Sequence, residues 1–153
     1  MSDVSLRPAR LGEEDQLSEL CLKSKAVWGY DEAFMTAVAP HLKVTSQAIR
    51  EGRTTVAESA EGEVLGVCQI EPGSAHGSLD LLFISPTAIG KGVGQLLFGH
   101  AKDLLRARGE TVMTILSDPY AEPAYLHMGA KRVAMRPSDV FKGRELPWLE
   151  VPL

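Results

Sequence analysis

Hydrophobic and polar positions change period several times along the chain, and the changes mark out short elements. Val4 to Arg7 alternates and stops at Pro8, predicting a strand, and Glu13 to Lys25 then sets Leu17, Leu20, Cys21 and Ser24 on one helical face. Trp28-Gly29-Tyr30 interrupts that spacing. Asp31 stands where a helix N-cap would, ahead of a second short helix over Glu32 to Ala39 that Pro40 closes. Thr54 to Glu58 and Val64 to Ile70 are β-rich runs joined by the polar turn Ser59 to Glu63, which predicts an antiparallel hairpin. A loop over Glu71 to Ser78, carrying Pro72, Gly73 and Gly77, leads into Leu79 to Ile84. That run is apolar but for Asp80, the pattern of a strand covered on both faces.

The clearest period follows. Val93, Leu96, Leu97, His100, Ala101, Leu104, Leu105 and Arg108 fall on the helical template, and Gly109 ends the helix. Thr111 to Leu116 reads as a strand, Ala121 to Met128 as a short helix ended by Gly129, and Lys131 to Arg136 with a stretch inside Leu146 to Val151 as late strands. A glycine-rich turn therefore opens the helix of a strand-helix-strand crossover, where α/β sheets place their ligands. With no Pro, Gly or Ser linker, no charge block and no long repeat, residues 1–153 read as a single domain.

Composition narrows the function classes. A chain of 153 residues that is 44% hydrophobic can bury a core, and a net charge of -4 argues against disorder and against a nucleic-acid partner. Two cysteines, Cys21 in a helical pattern and Cys68 in a strand pattern, supply neither a disulfide framework nor a metal-ligand spacing, so a cytoplasmic protein without a metal is expected. No apolar run reaches the roughly 18–20 residues of a membrane span, and MSDVSLRPAR lacks a signal peptide's apolar core, so no membrane partner is expected. Glycine is what stands out: three of the 14 lie in Gly90 to Gly94.

In the passage Ile84 to Gly94, glycines let backbone N–H groups converge, and the following helix N-terminus adds about half a positive charge. A phosphate could be held there by main chain alone, or the glycines could serve only a tight turn and close packing. A P-loop needs Ser or Thr after Gly-Lys, but Gly92 follows Lys91, and a dinucleotide fingerprint wants its glycines after the first strand with an acidic residue about 20 positions on. Neither fits.

Ile89-Gly90-Lys91-Gly92-Val93-Gly94 resembles the pyrophosphate loop of the GNAT superfamily of acyl-CoA N-acetyltransferases, Gln/Arg-x-x-Gly-x-Gly/Ala, matching at Gly92 and Gly94 and departing at Ile89. Downstream, Asp118, Ala121, Tyr125 and Gly129 occupy the superfamily's Asn, Ala, Tyr and Gly positions, with Asp118 the second departure. The resemblance is strongest over Leu79 to Arg132. It implies a mixed α/β (α+β) fold: a central, mostly antiparallel sheet with one parallel strand pair joined by a long crossover helix, and helices on both faces. Acetyl-CoA would be the co-substrate, backbone N–H groups near Phe83 and Ile84 would orient its thioester, and Leu82 would also lie on the cofactor. Gly90, Lys91, Gly92, Val93, Gly94 and Gln95 would hold the diphosphate, with Asp118 and Ala121 also on the cofactor. Lys91 either neutralises phosphate charge or is a solvated loop lysine.

By the same resemblance Tyr125 would donate to the departing CoA sulfur; otherwise it is a core tyrosine on a stripe with Ala121, Ala124 and Met128. Asp80 either draws and deprotonates an amine or forms a structural ion pair, since a lone buried carboxylate is costly. His76 and His127 read as loop or surface histidines before they read as bases, and His100 as a helix-packing residue. Trp28 and Tyr30 would wall the acceptor pocket, or pack as a staple beside the cap at Asp31. The segment Ser138 with Gly143 to Pro147 also looks like the late strand region of bacterial-type members. The expected activity is acetyl transfer to a primary amine, a small molecule or a peptide, by direct attack in a ternary complex. The alternatives are an acyl-CoA-binding domain with little catalysis, or a nucleotide-phosphate binder; a homodimer is left open.

Overall fold

The computed structural model describes residues 3–153. Its strands are β1 (Val4–Pro8), β2 (Thr54–Ser59), β3 (Val64–Glu71), β4 (His76–Ile84), β5 (Val112–Leu116), β6 (Lys131–Pro137) and β7 (Glu145–Pro152). Its helices are α1 (Glu14–Ala26), α2 (Glu32–Val38), α3 (Ser46–Arg50), α4 (Val93–Ala107) and α5 (Glu122–His127). The strands form a seven-stranded mixed sheet in the order β1-β2-β3-β4-β5-β7-β6, with β4 and β5 parallel. The chain groups into two compact units, Met1–Gln69 with Leu81–Ala101 and Ile70–Asp80 with Lys102–Leu153, so β3, β4 and α4 each contribute to both.

In the first unit, β1 pairs antiparallel with β2, and β2 with β3 through the expected hairpin, which carries a bulge between Ala57 and Glu58. Acidic Glu14 and Asp15 open α1 and basic Lys23 and Lys25 close it, the distribution that a helix dipole favours. Its buried Leu17 and Cys21 belong to a core with Val56, Val67, Cys68 and Leu97, and the Cys68 thiol points to the Leu97 carbonyl at 3.7 Å. Burial pushes both thiols up to about 12. Arg7 joins this unit's edge by reaching Glu13 at 2.8 Å and Glu58 at 2.9 Å.

Pro40 does not close the second helical segment: it opens a 3-10 turn over Ala39–Leu42, where its missing N–H is no loss. The short α3 has no counterpart among the expected elements, although Thr45 caps it by accepting the Ala48 N–H at 3.2 Å. Along α4 the buried positions are Val93, Leu97, Phe98, Ala101 and Leu105, whereas Leu96, placed on the apolar stripe by its spacing, is exposed.

The second unit buries Leu105, Met113, Ile115, Leu149 and Val151. Its parallel ladder runs His76↔Val112, Gly77↔Met113 and Ser78↔Thr114, through residues whose composition predicts a loop. The reason is Gly77, which looks like a breaker but is required by packing: a Cβ there would lie 2.6 Å from Leu105 Cδ2 and 2.8 Å from Glu110 Oε1. Nor is β4 covered on both faces, since Gly77, Leu79 and Leu81 are buried while His76 and Asp80 are exposed. β5 continues into an antiparallel ladder with β7, and β7 pairs in turn with β6, which is bulged between Arg132 and Ala134 and exposed along nearly all its length. No helix among the described residues is long and apolar enough to cross a membrane.

Candidate functional site

The strand-to-helix passage lies within the first unit. Where β4 ends, the Ser85 N–H donates to the Leu65 carbonyl at 2.8 Å, and a 3-10 turn over Pro86–Ala88 carries the chain onward. Gly90 and Gly92 then take φ of 84° and 80°, the left-handed region that side chains rarely adopt. Among the described residues, nothing beyond the adjoining ones lies within 4 Å of a Cβ built on either, so backbone conformation rather than crowding demands glycine. Gly94 is different: it is helical, and a Cβ on it would touch Ile84 Cγ1 and Cδ1 at 3.7 Å.

The first intrahelical bond of α4 runs from the Leu96 N–H to the Gly92 carbonyl at 3.2 Å, so the amides of Val93, Gly94 and Gln95 have no partner inside the helix. No acidic residue sits in that first turn, and Lys91 is exposed beside it. Amides unused by the helix, the positive helix end and a nearby ammonium, with no first-turn carboxylate to oppose them, are the features that suit an anion. Ile89, at the superfamily's Gln or Arg position, is 57% exposed.

Leu82, Phe83 and Ile84 are half-buried at the end of β4. The Ile84 N–H is engaged by the hydroxyl oxygen of Ser24, on the last turn of α1, at 3.3 Å. In the sequence Ser24 falls only on a helical stripe, and no local signal joins residues 60 positions apart.

Nearby in the chain, Asp31 caps α2 by accepting the Phe34 N–H at 2.8 Å, as the packing alternative required. Tyr30 stacks on Phe34 with ring centroids 3.8 Å apart, and the ammonium of the buried Lys25 lies 5.5 Å from the Tyr30 centroid and 5.9 Å from that of Phe34. Tyr30 thus has a structural engagement, while Trp28 presents 43% of its surface to solvent.

In the second unit, Asp118, Ala121 and Tyr125 form consecutive parts of one turn. Asp118 Oδ1 accepts the Tyr120 N–H at 2.8 Å, its carbonyl accepts the Ala121 N–H at 3.0 Å, and the Ala121 carbonyl accepts the Tyr125 N–H at 3.2 Å. Tyr125 is buried, but Ala124 is exposed, so the inward stripe is Glu122 and Tyr125. Glu122, which the sequence reading passed over, takes both a 2.6 Å bond from Arg132 Nε and one from its Nη2, and Arg132 holds its carboxyl below the usual carboxylate range. Asp80 is exposed and accepts the Ser78 hydroxyl at 2.9 Å, so the dilemma of a buried carboxylate does not arise. His76, now on β4, and His127 are exposed, and His100 is half-buried on α4. Among the described residues no three His, Cys, Asp or Glu side chains gather as a metal site would require.

Residues 13–145 match the family model described as an acetyltransferase (GNAT) domain, and the chain belongs to that family. No curated protein matches the sequence. Among solved structures, a GCN5-related N-acetyltransferase from Rhodopseudomonas palustris is similar at 20% identity, with 100% of this chain and 98% of that one covered and a TM-score of 0.78. The PaiA N-acetyltransferase of Thermoplasma acidophilum, solved in complex with coenzyme A, covers 99% of both chains at 14% identity and a TM-score of 0.80. The ribosomal-protein-S18-alanine N-acetyltransferase of Escherichia coli covers 98% of this chain and 94% of its own at 15% identity, with a TM-score of 0.68. These likenesses are of fold.

Proposed function

We propose that the protein transfers an acetyl group from acetyl-CoA to a primary amine by direct attack. The observation that carries this reading is the opening of α4, where Gly90 and Gly92 turn the chain through left-handed conformations just ahead of three amides unused by the helix. In this reading Gly90 to Gln95 bind the diphosphate, and backbone N–H groups near Phe83 and Ile84 orient the thioester carbonyl. Holding the thioester in place turns a bimolecular reaction into a local one, and N–H donors aimed at its oxygen stabilise the charge that develops there.

The amine attacks the carbonyl carbon, the C–S bond breaks, and Tyr125 donates to the departing sulfur. That demand is modest, because a thiol of pKa about 8.5 is already a tolerable leaving group. An alkyl ammonium must first lose its proton, and the exposed Asp80 carboxylate is the proposed acceptor, through water. Trp28 and Tyr30 are proposed to border the acceptor, which is a small molecule or a peptide. A second reading, an acyl-CoA binder with little turnover, draws on Ile89 at the superfamily's Gln or Arg position and on the Asp118 side chain, which is spent on the Tyr120 amide.

Calorimetry with coenzyme A, with ATP as a control, and thiol release from acetyl-CoA over a panel of amines test both. Micromolar binding of coenzyme A with amine-dependent thiol release is the expected result. Binding without thiol release selects the second reading, and no binding of coenzyme A removes both.

A further inference from the structure

Ser24 has the chemistry of an unused donor. A hydroxyl carries one hydrogen to give and two lone pairs. On the same helix, the Ser18 hydroxyl turns back to donate to the Glu14 carbonyl at 2.7 Å, the usual fate of a helical serine. Ser24 makes no such bond among the described residues: its oxygen only accepts, from the Ile84 N–H at 3.3 Å, just beyond the common range for such bonds. Two donors, an amide and a hydroxyl, therefore stand close together, held by a weak bond that spends the amide and leaves the hydroxyl hydrogen over. The amide is also one of those assigned above to the thioester oxygen.

We propose that Ser24 is a catalytic residue of the transfer, its hydroxyl donating to the thioester carbonyl oxygen beside the Ile84 N–H. This rests on the acetyl-transfer reading. Without acyl donor, Ser24 occupies the amide; with it, the thioester oxygen replaces the serine oxygen as acceptor, and both donors turn to it. As the amine nitrogen bonds to the carbonyl carbon, the C=O electron pair moves onto oxygen, where the two hydrogen bonds hold the charge; the pair returns as the C–S bond breaks, the departing sulfur takes its proton from Tyr125, and the proton that the nitrogen releases restores the tyrosine hydroxyl. Ser24 keeps its own proton throughout.

The test uses the full chain and acetyl-CoA labelled with 13C at the carbonyl. In the wild type, the bound thioester stretch is expected to fall in frequency relative to free acetyl-CoA, as hydrogen bonding weakens the C=O bond. Ser24→Ala should recover part of that shift, lower kcat by on the order of a hundredfold, and leave the affinity for coenzyme A, which has no carbonyl at sulfur, unchanged. Ser24→Thr, which retains a hydroxyl, should restore most of the turnover. Ser24→Cys, nearly the same size but a weak donor, should behave as Ser24→Ala and serves in its place if the alanine variant misfolds. A variant lacking the hydroxyl that shows the wild-type shift and wild-type kcat overturns the role of Ser24 alone. A wild-type protein that does not bind coenzyme A overturns the acetyl-transfer reading and this proposal with it.

Discussion

Glu110 Oε1 accepts the Gly73 N–H at 2.8 Å while Oε2, buried alongside it, has no hydrogen-bond partner among the described residues. The carboxylate ties the loop after β3 to the chain that enters β5, at the cost of one unsatisfied oxygen. Glu110→Ala removes that tie, a hydrogen bond to a charged group, which should lower stability by about 1.5–3 kcal/mol in urea unfolding. Glu110→Gln keeps an oxygen for Gly73 and removes a buried charge, so its loss should be smaller. Gly77→Ala, which drives a methyl into Leu105 and the same carboxylate, should cost about 1–3 kcal/mol.

Gly90 and Gly92 should respond differently from Gly94. Alanine at either of the first two must hold a left-handed φ, an expense of about 1–2 kcal/mol, and should also weaken coenzyme A binding measured by calorimetry. Gly94→Ala meets only ordinary contact with Ile84, so its melting temperature should stay close to the wild type.

Tyr125→Phe should slow acetyl transfer by about tenfold to a hundredfold without abolishing it, because general-acid assistance to a thiolate is helpful rather than essential. The loss should appear in kcat and leave KM for acetyl-CoA in place. Loss of both together would point to a packing role instead.

Acid should unfold the chain partly through Arg7 and Glu13. The hydrogen bond from Arg7 is the main reason the Glu13 carboxyl sits below its ordinary value of 4.5. Between the two values the unfolded chain binds more protons, so the pair's contribution is complete above about pH 4.5 and is lost as pH falls through the lower, folded value. Melting temperatures from pH 7 to pH 3 should fall more steeply for the wild type than for Glu13→Gln.

Cys21 and Cys68 should resist alkylation in the folded state at pH 8, because burial holds both as neutral thiols, and both should react at once in denaturant.

Much of the fold was legible because the long elements declare themselves by period. The α4 helix, the β2-β3 hairpin and the Asp31 cap follow from local spacing and chemistry. What escaped depends on neighbours remote in sequence. Gly77 looks like a turn residue until Leu105 and Glu110 are packed against it, and Leu96 carries the right spacing but faces solvent. Asp80 looked like a buried charge because its strand is apolar, yet the strand alternates and Asp80 is on the exposed side. At the candidate site the glycine loop was legible from its residues, whereas the contact between Ser24 and Ile84 spans 60 positions and has no local signature.

The strand that terminates the sheet carries its own safeguard against self-templating. β6 sets Lys131, Arg132 and Arg136 along an open hydrogen-bonding edge, breaks its register with a bulge and finishes on Pro137, which has no N–H to offer. An incoming β-segment would have to strip water from those charged side chains and meet a mismatched row of donors, so exposed Val133 and Met135 need not nucleate fibres even in concentrated solution.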